Sequence, residues 1–157
     1  MRKRIISRPA GDVRTSEQNW LDLESLAEVE LTSEDASHPI ESALKPSDGP
    51  GWRALEPGEQ TIRLLFDNPL RVRLIRLVFQ VDEQDRTQEF VLRWSSNSGQ
   101  SYREIVRQQF NFNSPHNTLE IEDYVVDLDG LTTLELRIVP DISGGLAHAS
   151  VAHLCIA

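Results

Sequence analysis

A single cysteine, Cys155, stands in 157 residues, so no disulfide can form within the chain. That fits a reducing compartment, where small domains do without such staples. At this length roughly two-thirds of the unfolded surface can be buried, and neither a disulfide nor a metal is needed to hold a core. Long apolar runs are missing as well. No stretch approaches the ~20 apolar residues that a helix needs to cross a bilayer. The chain opens Met1-Arg2-Lys3-Arg4, like a secretory leader, but only Ile5 and Ile6 follow before Ser7, Arg8 and Pro9. Without an apolar h-region, export by that route is not expected, and the chain is read as cytoplasmic, with no membrane contact. Positive charge is scarce: 16 Lys and Arg against 25 Asp and Glu leave a formal net charge of −9. An acidic surface repels phosphate backbones, which argues against a nucleic-acid partner. Arg2, Lys3 and Arg4 read as a solvated terminus.

Recognisable catalytic chemistry is absent too. Cys155 lies in an apolar run and reads as inert. The histidines (His38, His116, His148 and His153) show no close metal-ligand spacing. Gly144-Gly145 is a turn, not a phosphate cradle. Acidic pairs such as Glu28 and Glu30, or Glu120 and Glu122, fit the solvent faces of strands. No nucleophile, base and oxyanion donor come together in the pattern, so the chain is not expected to be an enzyme, and no cofactor is expected.

Alternation is what the sequence does have. Residues 1–26 carry little hydrophobic pattern and are expected to form an N-terminal extension, with Ser16 to Leu26 either a short helix or an extended lead-in. From Ala27 the period becomes two: Ala27, Val29 and Leu31 alternate with Glu28, Glu30 and Thr32. Ser33 to Gly51 reads as a loop, with a helical turn after Pro39. Further strands are expected at Gln60–Phe66 and Val72–Val81, divided by an Asp67-Asn68-Pro69 turn. The apolar phase shifts after Leu74, as a β-bulge would make it. Strands then follow around Phe90–Trp94 and Tyr102–Phe112. Leu119–Leu128 is expected to be closed by Asp129-Gly130, before strands at Leu134–Ile138 and Ala149–Ile156. About eight short strands with turn chemistry between them predict an all-β domain, an antiparallel β-sandwich of jelly-roll type, over residues 27–157.

The order of these pieces resembles the discoidin, or coagulation factor type C, family of galactose-binding-like jelly rolls. The match runs through Val29-Glu30-Leu31-Thr32-Ser33-Glu34, His38-Pro39-Ile40-Glu41-Ser42-Ala43-Leu44 and Gly51-Trp52-Arg53-Ala54. It continues in Pro57-Gly58-Glu59-Gln60 with Ile62-Arg63-Leu64, in Phe90-Val91-Leu92-Arg93-Trp94-Ser95, and in Gly99-Gln100-Ser101-Tyr102. Ala149-Ser150-Val151-Ala152 and Ile156 resemble the closing strand. The resemblance covers residues 27–157 and implies a binding module for sugars, lipids or proteins. The terminal disulfide common in that family cannot form here, with Cys155 alone. Many relatives also hold a structural calcium ion. Asp48 matches one metal ligand, but His153 stands where the other, a glutamate, is expected, and imidazole suits calcium poorly.

Carbohydrate binding through loops at one end of the sandwich is the expected function. Arg103 to Asn117 carries a strand end into a loop rich in Arg, Asn, His and aromatic groups, the mixture that pairs with hydroxyls and covers a sugar's apolar face. The resemblance places Arg107, with Asn111 or Asn113, at the ligand. His116 lies in the same loop. Trp52 and Arg53 form a second candidate pair, Trp52 reading either as core closure or as a stacking platform. Phe110 and Phe112 are open to the same two readings, and Arg107 could instead pair with Glu89 or Glu120 across strands. The alternative function is an intracellular protein–protein interaction domain. Exposed sheet edges would also permit a homodimer.

Overall fold

A computed structural model of the chain describes residues 19–46 and 49–157. A one-turn helix α1 (Leu23–Leu26) leads into β1 (Ala27–Leu31). A 3₁₀ turn (Ile40–Ser42) precedes β2 (Trp52–Arg53), and β3 (Gln60–Gln80), β4 (Arg86–Ser95), β5 (Arg103–Phe112), β6 (Leu119–Val139), β7 (Ser150–Val151) and β8 (His153–Ile156) complete the chain. All pairings are antiparallel. The expected all-β jelly-roll sandwich of eight strands is what the chain forms, but the strands are divided differently.

Two expected turns are not turns. β3 and β6 each run 21 residues without a break. Asp67-Asn68-Pro69 falls in the gap of the β3–β6 ladder between Leu65 and Leu70. Proline's missing N–H therefore costs no ladder bond there. Asp129 and Gly130 lie at the next register shift, between the Leu70–Leu131 and Val72–Leu128 pairs, with Gly130 at φ +76°. Register shifts also flank Val72, which accounts for the apolar phase change expected as a bulge. These irregularities form a corner at which both strands leave one layer and enter the other.

The front layer is thus β1, residues 60–66 of β3, residues 131–139 of β6, then β4 and β5. The back layer is β8, residues 72–80 of β3 and residues 119–128 of β6. β2 and β7 pair separately. In β3 the residues Ile62, Leu64, Ile75, Leu77 and Phe79 face inward and are fully buried. Phe79 from the back layer meets Phe90 from the front at 5.1 Å between ring centres. Each such buried side chain contributes about 2 kcal/mol. Leu23 of α1 is buried in the same core.

The outward side of the front layer carries a charged ladder. Glu135 accepts from Arg63 Nε at 2.8 Å and from Arg93 Nε at 2.9 Å, with Tyr102 stacked 4.3 Å from the Arg93 guanidinium. Burial alone would raise the Glu135 carboxyl, but the two arginines outweigh it and hold it below the ordinary range.

Candidate functional site

The β3–β4 loop, the end of β5 and the loop after β6 meet at one end of the sandwich, around an open pocket of about 340 Å³. β4 supplies Arg86 and Thr87, with Asp85 just before them. β5 supplies Asn111 and Phe112, with Asn113 just after. The loop after β6 supplies Asp141 and Ser143.

Register explains the convergence. Thr87 lies opposite Asn111, and Arg86 opposite Phe112. Thr87 Oγ1 donates to Asn111 Oδ1 at 2.7 Å. Asp85 Oδ1 accepts from the Ser114 amide at 2.9 Å, which ties the loop after β5 to the start of β4. Asp141 Oδ1 accepts from the Ser143 amide and hydroxyl, at 3.1 and 2.7 Å, and those two bonds hold its carboxyl below the ordinary range. The Ile142 amide donates to the Thr87 carbonyl at 2.9 Å, docking this loop on β4.

Arg86 is the unusual member. It is only 7% exposed. Its Nη2 donates to the His148 carbonyl at 3.1 Å, while its Nε has no partner. Burial pushes its guanidinium down from the usual value, against the charges of Glu83 and Asp141. An orphaned donor on a buried cation is costly unless something pairs with it. The pocket therefore offers planar donors and acceptors: a guanidinium, two amides, two carboxylates and two hydroxyls, arranged on backbone held by strands.

Of the residues expected from sequence, Asn111 and Asn113 reach this pocket and Arg107 does not. Arg107 points outward from β5, 53% exposed, and pairs with Glu89 at 3.1 Å and Glu104 at 3.2 Å. It lies four residues from Asn111, about 13 Å along the strand. The expected Glu89 partner is present; Glu120 instead faces the interior. Phe112 is 1% exposed, so it packs in the core beneath the pocket and presents no stacking face. Trp52, also 1% exposed, closes the core, with Nε1 donating to the Ser33 carbonyl at 3.2 Å. The platform reading of Trp52 is corrected on that ground, since a sugar cannot stack on a ring the protein has covered. Arg53 does not line this pocket; it forms a forked ion pair with Glu83, which lowers the Glu83 carboxyl. His116 is exposed in the turn closed by the Asn113–Asn117 bridge and does not line the pocket. Asp48 falls outside the described residues, so its metal reading has no structural counterpart; His153 lies with Nδ1 3.1 Å from the Lys45 carbonyl. Among the described residues no three His, Cys, Asp or Glu side chains converge on one point. Burial pushes the Cys155 thiol up to about 11, where it is a poor nucleophile.

Asp85, Arg86, Thr87, Asp141 and Ser143 were not expected at the site. A signal for Arg86 existed: it is in phase with Gln88, Phe90 and Leu92, all buried inward residues of β4.

No family model matches the chain, and no curated protein matches it. Solved structures do. One is the family 32 carbohydrate-binding module of Clostridium perfringens NanJ in complex with galactose, at 13% identity and TM-score 0.64, over 87% of this chain and 96% of that one. The fold is the jelly roll of the family 32 carbohydrate-binding modules. A second family 32 module from Clostridium perfringens, in complex with GalNAc-β-1,3-galactose, matches at 16% identity and TM-score 0.59, over 88% and 99%. The Ruminococcus gnavus GH29 fucosidase, in complex with fucose, matches at 4% identity and TM-score 0.65, over 93% of this chain and 28% of that one. Family 32 modules share the galactose-binding-like jelly roll with discoidin domains.

Proposed function

We propose that the chain is a non-catalytic carbohydrate-binding module and that the Arg86 pocket holds the sugar. The observation that carries this reading is the largely buried Arg86 in the lining of a pocket rimmed by amides, carboxylates and hydroxyls. A ligand with neighbouring hydroxyls accepts from Arg86 and donates to Asp85 or Asp141, while Asn111 and Asn113 do both. One cation beside two carboxylates suits a neutral sugar better than an acidic one. The discoidin-like order of sequence segments and the sugars bound by structural neighbours support the same reading. Affinity is weak, because each bond to the sugar replaces one to water. Isothermal titration against galactose, N-acetylgalactosamine and a wider sugar panel tests it. A sugar bound by the parent and lost in Arg86→Met supports the assignment; binding that survives Arg86→Met removes the sugar from this pocket.

A protein–protein interaction domain is the second reading. Leu55, Ile142 and Leu146 are 59, 50 and 81% exposed, and the segments that bear them border this end of the sandwich. Water-facing apolar groups of that size favour a protein surface over a sugar. A partner whose capture is lost when all three become serine, with no sugar bound by the parent, would favour it.

A further inference from the structure

Among the described residues, residues 119–128 of β6 and the whole of β5 each lack a second strand partner on the same side of the sandwich. Both are sheet edges, and their inward side chains meet. Glu120, Glu122 and Tyr124 alternate on the inner side of β6, facing Gln108 of β5. Gln108 Nε2 donates to Glu120 Oε2 at 3.1 Å and to Glu122 Oε1 at 2.6 Å, and Gln108 Oε1 accepts from Tyr124 Oη at 2.7 Å. One amide therefore holds two carboxylates and a phenol. Glu120 is 2% exposed, and its Oε1 has no partner.

Among the described residues no cation balances this pair. From β5 the inward neighbours are Val106, Gln108, Phe110 and Phe112; from β3 they are Leu77 and Phe79; from β4 they are Gln88 and Phe90. The nearest inward arginine along β4 is Arg86, whose charge is engaged with Glu83 and Asp141. The titratable groups that face Glu120 are Glu122 and Tyr124 of its own strand. Two carboxylates gathered on one amide nitrogen in an apolar wall cannot both be ionised cheaply.

We propose that Glu120 and Glu122 share one proton at neutral pH and that this proton keeps the free edges of the two layers clasped through Gln108. With the proton present, the pair carries one negative charge and the amide bridges both groups. Without it, two like charges face each other across the Gln108 amide, and their repulsion opposes the clasp. Burial, then the charge of Glu122 and the hydrogen bond with it, push the Glu120 carboxyl up to about 8, while the Gln108 bond pulls the other way.

The sign follows. Between pH ~4.5 and ~8 the folded chain holds a proton that the unfolded chain has lost, so stability falls as pH rises through that window and levels off above it. The test compares thermal midpoints of the parent and Glu120→Gln from pH 5 to 9. The reading is the difference between the two proteins, which cancels what other groups contribute to both curves. Glu120→Gln keeps the shape without the proton, so its midpoint should match the parent at pH 5 and exceed it by several degrees at pH 9. Carbon NMR of the Glu120 carboxyl gives a readout that needs no variant: its titration midpoint should lie near 8, and should fall in Glu122→Gln. Parallel curves for parent and Glu120→Gln, or a Glu120 carboxyl that titrates below 6, would overturn the proposal.

Discussion

Thr87 and Asn111 sit opposite each other on β4 and β5, and the Thr87 hydroxyl donates to the Asn111 amide oxygen at 2.7 Å. The bond fixes one amide of the pocket from the neighbouring strand. A side chain held this way meets its ligand without further loss of rotamer freedom. Thr87→Val should therefore weaken sugar binding by about threefold to tenfold while leaving the thermal midpoint nearly unchanged. Arg107→Ala, outside the pocket, should leave affinity where it was. Titration of both variants checks the pair; an Arg107→Ala loss equal to that of Thr87→Val would move the site along β5.

Arg86→Met separates function from stability. The methionine fills similar volume without carrying a charge out of water, so the fold should lose little and could gain about 1 kcal/mol. Sugar affinity should drop more than tenfold. Chemical denaturation and titration on the same sample give both numbers.

Glu135 makes the opposite pH statement to Glu120. Its carboxyl is held low by Arg63 and Arg93, so it contributes stability that is present above the unfolded value near 4.5 and lost as pH falls through its folded value. Glu135→Gln should cost about 2 kcal/mol at pH 7 and progressively less as the pH is lowered. Urea unfolding at pH 7 and pH 3 reads the difference; an equal cost at both would show that its charge is idle.

Gly51 is needed for its shape. It sits at φ +75°, and a Cβ there would lie 2.6 Å from the Val151 carbonyl oxygen and 2.9 Å from Ala152 Cα. Gly51→Ala must push apart the approach of β2 to β7, with an expected cost of about 2–4 kcal/mol in denaturation.

Some of this was open to reading in the sequence. Ala27 to Leu31 and Tyr102 to Phe112 alternate plainly, and their strands lie where the period puts them. Asp67-Asn68-Pro69 misleads because its turn chemistry is real; it serves a corner inside one strand, and only the partner's matching gap reveals that. β2 and β7 are two residues each, too short for any period. In the pocket, Asn111 and Asn113 were visible because strand end and polar loop adjoin in sequence. Asp85, Arg86 and Asp141 come from segments far apart along the chain. Only the β4–β5 register and the Ile142–Thr87 backbone bond bring them together. Glu120 and Glu122 read as solvent-facing because charged alternation normally marks the outer side. Here the outer positions hold Leu119, Ile121 and Val125, 47, 54 and 88% exposed, and the strand is inverted relative to that rule.

The two 21-residue strands also decide how the chain must reach this state. Gln60 pairs with Ile138, roughly 80 residues further on, and the same ladder builds both layers. Neither layer can form alone and wait for the other. The ladder must close a long loop before its contacts return anything, so folding should be slow, on the millisecond-to-second scale, and single-step. Until it closes, β1, β4, β5 and β8 have no complete sheet to join.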